Sequence, residues 1–121
     1  MKVGEIAFVV YPVTDLKRAR EFYENVLGLT VSTVFGKEQV GWVEYDIGEG
    51  TLAISNFDKE WKPCCGGCTA GLEVDDLDAA IEEVKASGVG EVNGPHESPV
   101  CHLAFISDPD GNTIILHKRK A

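Results

Sequence analysis

The apolar positions along this chain change their period several times, and each change predicts an element. Glu5 to Tyr11 is rich in Val, Ile and Phe, which predicts a buried strand closed by Pro12, a residue with no N–H for a ladder. Helical spacing takes over next. Leu16, Ala19, Tyr23, Val26 and Leu27 fall on one stripe and Phe22 widens it, with Thr14 or Asp15 able to cap the start and Gly28 able to supply a left-handed stop. Three strands follow, Leu29 to Phe35, Val40 to Ile47 and Thr51 to Asn56, the last two joined through Gly48-Glu49-Gly50.

The same order then recurs. Thr69 to Val74 predicts a short strand, Asp75-Asp76 can cap a helix carrying Leu77, Ala80, Ile81 and Val84, and Gly88 ends it. A short strand near Glu91, a strand from Val100 to Ser107, the turn Asp108-Pro109-Asp110-Gly111 and a strand from Asn112 to Lys118 complete the unit. Asp15-Leu16 and Asp76-Leu77 stand 61 positions apart, as do Ala19 and Ala80. A half of this size cannot bury its own sheet, so the repeat predicts one α+β domain of two βαβββ modules, at 1–58 and 69–121, joined by a linker at 59–68.

Composition narrows the partners. Twenty acidic against 11 basic residues give a formal net charge of −9, which repels phosphate backbones and anionic lipid heads, so neither nucleic acid nor a membrane is an expected partner. No apolar run approaches the ~20 residues that span a bilayer, and the N-terminus leads straight into a strand-like segment. A cytoplasmic protein is expected, with Cys64, Cys65, Cys68 and Cys101 as reduced thiols and no structural disulfide. The short basic tail Lys118-Arg119-Lys120 is expected only to end the last strand in solvent.

Three motifs, in this order and spacing, carry a resemblance over almost the whole chain. They are Asp15-Leu16 followed by Phe22-Tyr23-Glu24-Asn25-Val26-Leu27-Gly28-Leu29, then Glu73-Val74-Asp75-Asp76-Leu77-Asp78-Ala79-Ala80, then Asp108-Pro109-Asp110-Gly111-Asn112. Together they resemble the vicinal oxygen chelate superfamily of glyoxalases, extradiol dioxygenases, and fosfomycin- and bleomycin-resistance proteins. The resemblance implies an incomplete barrel around one ligand cavity, with metal-dependent members placing His, Glu or Gln at four inward strand positions. Counted from the motifs, those positions are Phe8, Ala53, Thr69 and Ile115. Phe, Ala and Ile donate nothing to a divalent ion, so the expectation is a metal-free member without cofactor, binding a small organic ligand as bleomycin-resistance relatives do. A register shift of one residue brings in Glu5 or Glu73 but no full ligand set.

Other residues bear candidate chemistry. His117 shares a strand face with Ile115, the face that the resemblance turns toward the cavity, and is read either as a ligand hydrogen-bonder or general base or as a strand-end histidine. Adjacent Cys101 and His102 face opposite sides of their strand, which leaves Cys101 with His117 across neighbouring strands as the alternative pair. Trp42, Glu44 and Asp46 share a face, offering an aromatic wall with carboxylates if that face is the cavity's and rim packing if it is not. Asp75 and Asp76 are read as helix caps, and Phe22 and Tyr23 as core. Cys64-Cys65-Gly66-Gly67-Cys68 could gather on one soft metal or metalloid, or form a plain turn of reduced thiols. The expected ligand contacts are therefore Phe8, Trp42, Glu44, Ala53, Thr69, Cys101, Ile115 and His117, with a homodimer as the expected assembly. The rivals are a lyase, isomerase or dioxygenase with a displaced metal site, and a soft-metal or metalloid binder using the linker cysteines.

Overall fold

A computed structural model describes residues 1–120. The chain divides into two compact units, Met1–Pro63 and one that begins at Cys64. In the first, β1 (Val9–Pro12), α1 (Leu16–Glu21), β2 (Val31–Gly36), β3 (Gly41–Ile47) and β4 (Gly50–Ser55) form a four-stranded sheet in the order β1-β4-β3-β2. In the second, β5 (Ala70–Glu73), α2 (Leu77–Ser87), β6 (Val92–Glu97), β7 (Cys101–Ser107) and β8 (Thr113–Arg119) form the matching sheet β5-β8-β7-β6. Each unit is thus a βαβββ module of an α+β fold. Its first strand runs parallel to its last, and the other neighbours are antiparallel.

The helix starts follow from capping chemistry. Asp15 and Asp76 each sit in extended backbone and accept a backbone N–H three residues on, from Arg18 at 3.0 Å and from Ala79 at 3.1 Å. After Glu21 the first helix widens into a π-helical turn, Phe22–Val26, in which Leu27 N–H reaches back to Phe22 O at 3.0 Å. The wider turn puts Phe22 and Tyr23 side by side in the core, with rings 5.4 Å apart and edge to face. They pack with Leu16 and Ala19 on the sheet face built from Tyr11, Val43, Tyr45, Leu52 and Ile54. In the second unit Leu77, Ile81 and Val84 of α2 are buried, as are Ala104, Ile106, Ile114 and Leu116 on one face of the sheet. Each large side chain so covered contributes about 1.5–3 kcal/mol.

Three boundaries differ from the sequence expectation. Pro12 closes β1 from inside, paired with Ser55, because β1 is an edge strand and a missing N–H costs nothing on an unpaired side. Residues before Val9 are not in the strand, whose pairing with β4 begins at Val9 and Leu52. The strand expected near Glu91 is longer, Val92–Glu97, with a register shift between Asn93 and His96 around a cis Gly94–Pro95 bond. No helix among the described residues is long and apolar enough to cross a membrane.

Candidate functional site

With one face of each sheet committed to its helix, alternation leaves the other face for chemistry. In the first unit the cross-strand register puts Trp42 and Glu44 of β3 on that open face with Val10 and Ala53. Phe8, one alternation before Val10, lies against Trp42 with ring centroids 5.2 Å apart and planes at 89°. Trp42 Nε1–H donates to Glu44 Oε2 at 2.8 Å, so the indole is held by an edge-to-face ring on one side and a carboxylate on the other. Asp46 is engaged separately and accepts from Thr51 Oγ1 at 3.0 Å. Ala53 is fully buried, while Phe8 is 44% exposed.

The second unit's open face carries Ile115 and His117 of β8, Phe105, Leu103 and Cys101 of β7, and Gly71 and Glu73 of β5. Thr69 stands one alternation before Gly71, just outside β5. His117 Nδ1 lies 2.5 Å from Glu73 Oε1, and Glu73 Oε2 accepts the Arg119 N–H at 2.8 Å. The Arg119 N–H first, and His117 second, hold the Glu73 carboxyl below the ordinary glutamate range. Sequence reading placed His117 but missed this partner. The signal was available only as a Glu and a His on strands that the βαβββ order makes parallel neighbours.

Other cysteines and histidines have partners of their own. Cys101 pairs in register with Arg119 and is buried with its Sγ 3.1 Å from Ser98 Oγ, whereas His117 pairs with Leu103 and Glu73, so the two candidates for a thiol–imidazole pair are engaged elsewhere. His102 shares the opposite face with Lys118. The segment from Cys64 to Cys68 is hydrogen-bonded to the start of β8: Cys64 N–H donates to Asn112 Oδ1 at 3.1 Å, and Thr113 Oγ1 donates to Cys65 O at 3.1 Å. Asn112 and Asp108 are both buried. Asp108 Oδ1 accepts the Asp110 and Asn112 N–H groups at 2.9 Å, and Asn112 Nδ2 donates to Asp108 Oδ2 at 2.8 Å. The third sequence motif is therefore a turn that grips the start of its own unit.

The residues at the four positions where metal-dependent superfamily members place ligands do not fit a divalent ion. In register, Ala53 lies between Val10 and Glu44, and Ile115 between Gly71 and Phe105, so Glu44 supplies the one strong side-chain donor among these neighbours. Among the described residues no three His, Cys, Asp or Glu side chains converge as a metal site. Cys64, Cys65 and Cys68 are exposed free thiols and form no such group.

Residues 5–116 match the Glyoxalase/Bleomycin resistance protein/Dioxygenase superfamily. A lactoylglutathione lyase of Haemophilus influenzae is 31% identical over 128 residues, covering 97% of this chain and 94% of that protein. Among solved structures, TnmS3, an antibiotic binding protein from Streptomyces sp. CB03234, is similar with a TM-score of 0.81 and 26% identity over 99% of both chains. A glyoxalase/bleomycin resistance protein from the same strain gives a TM-score of 0.74 at 28% identity, covering 93% of this chain and 98% of its own.

Proposed function

Because the chain belongs to the glyoxalase/bleomycin resistance protein/dioxygenase superfamily, we propose that it binds a small organic ligand against the open faces of its sheets without a metal ion. The observation that carries this reading is the Phe8–Trp42 pair on an open face whose neighbouring family position is Ala53, with no donor for a metal. Aromatic stacking and burial would supply affinity there, at about 0.5–1.5 kcal/mol for a ring pair beyond its buried area. Glu44, fixed by the indole N–H, would orient a polar edge of the ligand. The open face of the second unit offers a set of contacts of its own, in which Ile115 and Phe105 would supply apolar contact, His117 a directed hydrogen bond, and Thr69 and Cys101 the margins. The similarity to an antibiotic binding protein supports a small organic ligand, and the Phe8–Trp42 pair suits an aromatic or heterocyclic one. We take the working form to be a cytoplasmic homodimer, since two-fold pairing is the commonest assembly and four free thiols suit a reducing compartment.

A thermal-shift screen of aromatic and heterocyclic compounds on wild type and Trp42→Ala, combined with elemental analysis, tests this. Hits should raise the melting temperature of wild type and lose most of that effect in the variant, and purified protein should carry no stoichiometric Mn, Fe, Ni or Zn. Equal stabilisation of both proteins, or a tightly bound equivalent of such an ion, would refute the proposal. The competing enzyme reading, a lyase, isomerase or dioxygenase with a displaced metal site, requires turnover that appears on addition of a divalent ion.

A further inference from the structure

We propose that His117, in its neutral form, presents Nε2 on the open face of the second sheet as a hydrogen-bond acceptor, so that the ligand held there is one with an O–H or N–H donor, such as a phenol. This rests on the sheet-face reading above and deepens it. The argument begins with Glu73, whose two oxygens are clamped separately, one by the Arg119 N–H at 2.8 Å and one by the imidazole at 2.5 Å. An ionised carboxylate only accepts, so the imidazole nitrogen facing it carries the hydrogen. A neutral ring has one N–H, and placing it on Nδ1 leaves the lone pair on Nε2.

The clamp is set by backbone pairing rather than by a chance side-chain encounter. Glu73 and His117 are register partners on parallel β5 and β8, and Val74 N–H donates to His117 O at 2.9 Å. Among the described residues the imidazole has no second hydrogen bond, which leaves Nε2 for a ligand. Of its neighbours on the same face, Leu103, Phe105 and Ile115 offer apolar contact, while Arg119 and Cys101 lie together one alternation further on. An acceptor set among such groups favours a flat apolar body with one donor at its edge and disfavours a partner that can only accept. Glu73 is accordingly a positioning residue, acting through His117.

Nitrogen-15 NMR on the full chain tests the two parts separately. At a pH where the same spectra show the ring to be neutral, His117 of wild type should show its hydrogen on Nδ1, and Glu73→Ala should let the Nε2–H form appear. A wild-type ring with the hydrogen on Nε2, or a tautomer indifferent to Glu73→Ala, would overturn the proposal. Phenol and its methyl ether anisole then serve as matched probes on wild type, which needs no variant to fold. Phenol should shift the His117 Nε2 resonance and bind about tenfold more tightly than anisole, the factor one hydrogen bond supplies. Equal binding of both probes, with Trp42 and His117 signals moved alike, overturns this inference and leaves the sheet-face reading standing. If neither probe moves Trp42 or His117, both readings fail.

Discussion

Replacing Asn112 by alanine should cost about 3 kcal/mol, a large share of a small domain's stability. The substitution removes the Nδ2 hydrogen bond to Asp108 Oδ2 at 2.8 Å and the acceptor of the Cys64 N–H at 3.1 Å, at a site only 1% exposed. A bond to a charged acceptor is worth about 1.5–3 kcal/mol and a neutral one about 1 kcal/mol. At roughly 4 °C per kcal/mol for a chain of this size, the melting temperature should fall by about 12 °C. Urea unfolding measures the energy, and amide hydrogen exchange at Cys64 reads the second bond by itself, since that N–H should exchange faster in the variant. Asn112→Asp separates the two contributions: it keeps an oxygen for Cys64 but sets two carboxylates side by side. One carboxyl of that pair would have its pKa raised by its neighbour, so the Asn112→Asp variant should regain stability as pH falls toward 5, a shift absent from Asn112→Ala. A loss below about 1 kcal/mol for Asn112→Ala, with unchanged exchange at Cys64, would refute the claim that this turn grips the start of its unit.

The remaining predictions concern a buried phenol of the first unit and a sheet-face carboxylate of the second. Tyr45→Phe keeps the ring that stacks on Tyr23 at 6.1 Å but deletes the hydroxyl donated to Glu24 Oε2 at 2.9 Å, and should cost about 1–2 kcal/mol in urea unfolding. Burial, and then the bond to Glu24, push the Tyr45 phenol well above its ordinary range, so the difference between wild-type and Tyr45→Phe ultraviolet titrations should show no ionisation at the usual tyrosine pH. Glu73 and Glu97 are both held below the ordinary 4.5, Glu73 mainly by the Arg119 N–H and Glu97 mainly by the Lys120 ammonium at 2.5 Å. Their contribution is therefore present above pH 4.5 and is lost as pH falls through the lowered folded values, so Glu73→Gln should flatten the acid limb of the stability curve. An acid limb identical to wild type would contradict that assignment.

The sequence by itself determined what depends on near neighbours in the chain. Period-two alternation assigned Trp42 and Glu44 to one face of β3, and Ile115 and His117 to one face of β8, because successive side chains on a strand point to opposite sides whatever the strand packs against. A cap at Thr14 or Asp15 and another at Asp75-Asp76 were legible since the N–H groups that Asp15 and Asp76 accept are only three residues away. The repeat likewise announced two modules, and three motifs announced the superfamily. Only the tertiary structure decided which strands lie side by side, and so which distant residues share a bond. Glu73 meets His117 across 44 positions and Cys64 meets Asn112 across 48, through register and turn geometry that no local pattern encodes. The end of β1 at Pro12 is of the same kind, because it follows from that strand's place at a sheet edge. So is the fate of Cys101, whose sulfur is turned to Ser98 while its neighbour across the sheet is Arg119. Local propensity fixes the face a residue occupies; long-range pairing, set by which apolar surfaces can be buried together, chooses its partners.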